Sequence, residues 1–156
     1  MIKLLDILEN KILVPRRSRE ERSKNYQIAL QKQVQQYIKD GGKGDLDLNS
    51  TPITSLPSGL SVGGNLNLSY CEKLTSLPSS LSVGGYLNLG YTKITSLPSD
   101  LSVGGGLNLE GSEITSLPSG LTVGGNLNLY NTPLSKSHTR AQIRQMAPGI
   151  KGYIYI

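Results

Sequence analysis

The sequence has no tryptophan and no phenylalanine, a single cysteine and a single histidine. Without the two largest apolar rings, a packed interior has to be built from Leu, Ile and Val. One thiol excludes a disulfide framework, and one thiol with one imidazole excludes a structural zinc site. A Ser-His-Asp or Cys-His catalyst would have to use His138. That residue stands beside Thr139 in a polar stretch and reads as a surface imidazole, so no enzyme activity, metal or cofactor is expected. Charge is also scarce, at 17% of residues. At the N-terminus Asp6, Glu9 and Lys11 interrupt any apolar run that could form a signal peptide. No segment is long and apolar enough to cross a bilayer. Asn49-Ser50-Thr51 fits a glycosylation sequon, but no secretory context accompanies it.

What the chain does have is unevenly distributed. Its 156 residues suggest one domain, with a net charge of +5. Residues 1–43 carry ten basic and five acidic side chains, and residues 135–156 carry four basic and none acidic. Between them, residues 44–134 carry two basic and six acidic. The basic character therefore belongs to the flanks, and the middle is mildly acidic.

The middle is a repeat. The same phrase restarts at Leu46, Leu66, Leu87, Leu107 and Leu127, at spacings of 20, 21, 20 and 20 residues. A fixed period of about 20 over successive copies indicates a solenoid. Within each copy, Leu-x-Leu places two leucines on one face of a short strand. Thr51, Cys71, Thr92, Ser112 and Thr132 recur five residues after the first leucine, where a small polar group can bond a backbone carbonyl leaving the strand. Cys71 reads as a small, weakly polar filler of that column, not as a reactive thiol. Ile53, Leu74, Ile94 and Ile114 are expected to point inward beside Leu56, Leu77, Leu97 and Leu117. Pro57, Pro78, Pro98 and Pro118 fix an extended return segment. Leu60, Leu81, Leu101 and Leu121, with Val62, Val83, Val103 and Val123, fill the far side. The pairs Gly63-Gly64, Gly84-Gly85, Gly104-Gly105 and Gly124-Gly125 are expected to permit sharp turns into the next strand. The extra residue of the second copy lies within Tyr70-Cys71-Glu72-Lys73, a loop position.

Leu87-x-Leu89-x-x-Thr92-x-Ile94 resembles the leucine-rich-repeat phrase in its shortest class, with Thr, Cys or Ser at the family's asparagine position. The Leu-Pro element is similar to that of bacterial effector repeats. The whole phrase with its basic flanks looks most like small repeat proteins encoded by bacteriophages. The resemblance implies an α/β solenoid with a short parallel sheet and a helical cap at each end. It also implies a cytoplasmic setting, in a bacterial or phage-infected cell, or packaging in a viral particle. Effectors with such repeats can carry a separate catalytic domain; this chain has no segment long enough to be one.

Three segments follow: an N-terminal helical cap over 1–43, five repeats over 44–134 and a C-terminal helix-strand cap over 135–156. A solenoid exposes apolar side chains at both ends unless something covers them. Leu4, Leu5, Leu8 and Ile12 have helical spacing before Pro15. Ser18 and Glu21 form a capping box, and Tyr26, Leu30, Val34, Tyr37 and Ile38 make one apolar stripe that ends at Gly41-Gly42. Thr139 and Gln142 open a second helix around Ile143 and Met146, which Pro148-Gly149 stops. Ile150 to Ile156 reads as a closing strand.

The candidate site is the outward face of the strands. Its first column is Asp45, Asn65, Tyr86, Gly106 and Asn126; its second is Asp47, Asn67, Asn88, Asn108 and Asn128. The third holds Asn49, Ser69, Gly90, Glu110 and Tyr130, and the fourth Ser50, Tyr70, Tyr91, Gly111 and Asn131. Variation concentrates here while the inward positions barely change, and the mixture of Tyr, Ser, Gly and Asn is that of antibody paratopes. Tyr70, Tyr86, Tyr91, Glu110 and Tyr130 are the expected partner-binding residues for an unidentified protein. The competing reading is that tyrosine simply favours strands and that the Asn column is an amide ladder. A second functional possibility is self-assembly, a homo-oligomer joined through an unpaired edge at Tyr153-Ile154-Tyr155-Ile156. Nucleic acid comes third: Glu20 and Glu21 interrupt the run Arg16-Arg17-Ser18-Arg19-Glu20-Glu21-Arg22-Ser23-Lys24, and no aromatic stacking platform is interleaved. The C-terminal group Lys136, Arg140, Arg144 and Lys151 makes no better case. The solenoid is expected to be right-handed, with one parallel sheet of about five strands.

Overall fold

A computed structural model describes residues 18–156. The expected helix near residues 1–13, Pro15 and the Arg16-Arg17 pair lie outside the described residues. The chain from residue 46 onward is a parallel-sheet solenoid. Strands β1 (Leu46–Asp47), β3 (Leu66–Asn67), β5 (Leu87–Asn88), β7 (Leu107–Asn108), β9 (Leu127–Asn128) and β11 (Ile154–Tyr155) form one sheet in that order. Strands β2 (Ser61–Val62), β4 (Ser82–Val83), β6 (Ser102–Val103), β8 (Thr122–Val123) and β10 (Gly149–Ile150) form a second sheet behind it.

The expectation of a single sheet of about five strands is therefore corrected to two, of six and five strands. The second arises because Leu-Ser-Val alternates as Leu-x-Leu does. Ser61 and Ser82 face out while Leu60, Val62, Leu81 and Val83 face in. A two-residue strand is too short to announce itself by periodicity. Register aligns equivalent residues, as in Leu66↔Leu87 and Val83↔Val103, so like side chains stack on like. The interior is a set of leucine, isoleucine and valine columns between the sheets, nearly all removed from solvent. Each fully buried aliphatic side chain contributes about 1.5–3 kcal/mol.

The column of small polar residues does what its position requires. Thr51, Thr92, Ser112 and Thr132 donate their hydroxyls at 2.7–2.8 Å to the carbonyls of Leu48, Leu89, Leu109 and Leu129. Cys71 is buried and its thiol lies 3.1 Å from the Leu48 carbonyl, in the preceding turn. The extra residue of the second copy is absorbed in a tight turn: Glu72 N–H donates to Tyr70 and Leu74 N–H to Cys71. Leu74 thereby stays in the buried column.

The paired glycines act differently from expectation. None of the four Gly-Gly pairs has a left-handed φ; the glycines that do are Gly41, Gly42, Gly44, Gly59 and Gly111. The pairs are needed because adjacent turns touch there. A Cβ at Gly105 would lie 2.8 Å from the Gly85 carbonyl oxygen, and one at Gly84 or Gly104 would overlap the carbonyl of the glycine one turn earlier.

Helix α1 (Arg19–Lys39) starts at the Ser18–Glu21 capping box and stops at Gly41 and Gly42. Leu30 and Val34 enter the common core, Tyr37 packs half-buried against it, and Gln27 donates to the Pro52 carbonyl. The expected apolar stripe is narrower than its sequence: Tyr26 and Ile38 are exposed. After β9, Leu134 continues the Ile114 column on the short helix α2 (Pro133–Ser137), and α3 (Arg140–Met146) opens with the Thr139–Gln142 capping box. The closing segment is two strands, not one, and each extends a different sheet.

The outer edge of this last turn is occupied. Arg144 donates to the Ile150 carbonyl and, at 2.7 Å, to that of Gly152, while Arg140 donates to that of Ile154 at 2.9 Å. In earlier turns the equivalent carbonyls of Val103 and Gly105 accept N–H groups from the turn that follows. The two arginines stand where another turn would bond.

Candidate functional site

Parallel pairing sets the outward residues of the six-stranded sheet in straight columns, so sequence variation becomes surface relief. All five expected site residues lie on this face. The register Ile154↔Leu127 and Tyr155↔Asn128 adds Tyr153 and Tyr155, which the sequence reading had placed at a self-assembly edge and not on this face. Their signal was the alternation Tyr-Ile-Tyr-Ile, hidden because two helices interrupt the period. Six exposed tyrosines therefore share the face: Tyr70, Tyr86, Tyr91, Tyr130, Tyr153 and Tyr155.

They are arranged against neighbours. Tyr70 and Tyr91 stack with ring centroids 4.9 Å apart and planes 5° from parallel. The opposite side of the Tyr91 ring lies over Gly111, where a Cβ would be 2.7 Å from the ring. Tyr86 likewise lies over Gly106, at 3.1 Å from a Cβ built there. The glycines of the fourth copy thus receive the rings of the third. Tyr130 and Tyr155 are tilted neighbours at 6.3 Å, Tyr153 meets Tyr155 edge-on at 4.9 Å, and the Arg140 guanidinium lies 5.1 Å from the Tyr153 centroid.

Left-handed backbone recurs along the fourth column, as it also does at Ser80 in a return segment. Ser50, Tyr70, Tyr91, Gly111 and Asn131 all have φ between 55° and 65°. Glycine or asparagine suits that region, as turns four and five illustrate; a ring-bearing residue there costs about 1 kcal/mol or more. Two tyrosines are held where the local geometry does not favour them, and strain of this kind clusters at functional sites.

Glu110 ties the tyrosine groups together. One carboxylate oxygen accepts from Tyr91 Oη at 3.0 Å and the other from Asn128 Nδ2 at 3.3 Å. The hydrogen bond to Glu110, and then its charge, raises the Tyr91 phenol above its ordinary value. Partial burial, and then the same carboxylate, raises Tyr86. Both rings are accordingly neutral donors over the physiological range.

The asparagine column is mainly local in its bonding. Asn88, Asn108 and Asn128 accept the N–H two residues on, at 3.0–3.1 Å, and Asp47 does the same for Asn49. Only the Asn108–Asn88 contact, at 3.0 Å, is an amide rung of the expected ladder. These side chains turn the chain out of the strand, whereas the tyrosines carry no such duty.

Tyr86 separates two hollows. One of about 320 Å³ is lined by Asp45, Asp47, Asn65, Asn67, Tyr86 and Asn88. The other, about 340 Å³, is lined by Tyr86, Leu107, Asn126, Asn128, Tyr130 and Tyr155. Elsewhere, His138 is partly exposed and hydrogen-bonded to Ser137. Among the described residues no group of three or more His, Cys, Asp or Glu side chains could hold a metal, and no helix is long and apolar enough to cross a membrane. No protein-family model, curated protein or solved structure matches the chain.

Proposed function

We propose that this chain is a non-enzymatic protein-binding module of the leucine-rich-repeat type, with α1 and the α2–α3 segment capping its ends. The bound surface is the outward face of the six-stranded sheet. The observation that carries the reading is the gathering of six exposed tyrosines there, two in left-handed backbone positions that glycine or asparagine would occupy at lower cost. Tyrosine offers large contact area with few rotatable bonds, which suits it to recognition. The resemblance to phage-encoded repeats implies a partner in a bacterial or phage-infected cell, or in a viral particle. Self-assembly through the closing strand is the weaker reading, because Arg140 and Arg144 already bond the edge carbonyls that a second copy would need.

The test is Tyr86→Ala with Tyr91→Ala. Partner capture from host extract should weaken while the unfolding midpoint stays near that of the unaltered chain. A partner retained undiminished by the double variant would exclude the face.

A further inference from the structure

The charge of the face is one-sided. Its four columns hold Asp45, Asp47 and Glu110 and no lysine or arginine. At the corner beyond Tyr70 and Tyr91, Lys73 and Lys93 are balanced by Glu72 and Glu113. A cation is seated at one end already: the Arg140 guanidinium lies 5.1 Å from the Tyr153 ring centroid, within the range of a cation–π contact. Tyr91 donates its hydroxyl to Glu110, which enriches its ring in electrons and leaves the carboxylate's charge beside the aromatic surface.

We propose that the segment bound by this face is an extended, arginine-bearing peptide of a partner protein. The proposal rests on the protein-binding reading above and adds the chemistry of what is bound. Charge complementarity selects a basic partner over a neutral or acidic one. Arginine is favoured over lysine because a planar guanidinium both stacks on tyrosine and meets a carboxylate through paired donors.

The geometry also sets a spacing. Asp47 on β1 and Glu110 at the end of β7 are three strand steps apart, since the sheet order is β1-β3-β5-β7. At about 4.8 Å per step that is about 14 Å across the sheet, with a lateral offset of about 7 Å that a long side chain can cover. An extended chain advances about 13 Å in four residues and keeps residues i and i+4 on one face. Arginines four positions apart therefore address the first hollow, which Tyr86 lines, and Glu110 together.

The experiment is an amide chemical-shift titration of the whole isotope-labelled chain with synthetic Gly/Ser peptides. One carries two arginines about four positions apart, one carries two glutamates at the same positions, and one carries two lysines. The arginine peptide should shift amides around Asp47, Tyr86 and Glu110. Its affinity should exceed that of the lysine peptide and fall about tenfold in the Asp47→Asn, Glu110→Gln variant. Asp47→Asn keeps the acceptor for the Asn49 N–H and Glu110→Gln keeps one of the two acceptors of Glu110, and the circular-dichroism melt confirms that the variant is folded. Asp47→Asn alone, expected to cause a smaller fall, keeps the test decisive if the double variant unfolds. No binding of the arginine peptide, equal binding of the glutamate peptide, or undiminished binding by the charge variant would overturn the proposal. The Tyr86→Ala, Tyr91→Ala variant separates the two levels. Arginine-peptide binding lost there but kept in the charge variant leaves the face as the binding surface and removes the basic partner. Binding kept in both variants removes both.

Discussion

Replacing Gly105 by alanine tests whether the glycine pairs serve turn flexibility or contact between turns. The added methyl would lie 2.8 Å from the Gly85 carbonyl oxygen, 2.9 Å from its carbonyl carbon and 3.1 Å from the Tyr86 nitrogen. Ordinary contacts begin near 3.5 Å, and all three atoms belong to the backbone of the preceding turn. Relief therefore means parting two turns that the Gly105 N–H to Gly85 carbonyl bond, at 2.9 Å, holds together. Overpacking of this kind costs about 1–3 kcal/mol, and a stretched backbone bond adds up to about 1 kcal/mol. Against this, losing a glycine from the unfolded chain stabilises by about 0.4–1 kcal/mol, because Gly105 does not need a left-handed φ. The expected net loss is about 1–3 kcal/mol, read as a lower urea midpoint with an unchanged slope. Gly59 supplies the opposite case, with φ at +68° and open space around a Cβ. Alanine at Gly59 should cost about 1 kcal/mol and asparagine, which tolerates left-handed backbone, should recover most of it. Asparagine at Gly105 should recover nothing. A Gly105→Ala chain as stable as the original, or more so, would refute the contact argument.

Three further outcomes are expected. Because the folded state raises the Tyr91 phenol, its contribution to stability is complete below the ordinary tyrosine value of 10.0 and is lost as pH rises through the raised one. Phenolate absorbance should accordingly begin at lower pH in Glu110→Gln, and an unaltered titration would remove that carboxylate from the account. Leu107→Ala, at a side chain 1% exposed in the centre of the stack, should cost about 3–5 kcal/mol in chemical unfolding. Arg144→Met should cost about 2 kcal/mol by freeing the Ile150 and Gly152 carbonyls. It should also raise the apparent mass by light scattering at high concentration; a strictly monomeric variant would show that the arginine does not protect the edge.

The solenoid was legible because its signal is repeated. One Leu-x-Leu pair is ambiguous, but several at a constant spacing have few other physical solutions, and the hydroxyl column followed from where carbonyls must be left over. The second sheet was harder to read, since its strands are two residues long and their alternation is a single Leu-Ser-Val. The glycine pairs were misassigned because sequence shows that a side chain is absent without showing whether φ or a neighbour requires the absence. At the site, the columns could be written down from the period alone. Their relief could not, because the seating of Tyr86 on Gly106 and of Tyr91 on Gly111 depends on contacts between turns. Tyr153 and Tyr155 escaped for a related reason: α2 and α3 displace them from the period, and only Ile154, in the place of a leucine, marks the register.

The most direct measurement is capture from one host extract by three forms of the chain with matched unfolding midpoints. One is unaltered, one has Tyr86, Tyr91 and Tyr130 replaced by serine, and one has Ser61, Ser82, Ser102 and Thr122 on the second sheet replaced by alanine. The expected result is a partner held equally by the first and third forms and lost by the second. Loss from the third form, or identical capture by all three, would contradict a binding face built on the tyrosine columns.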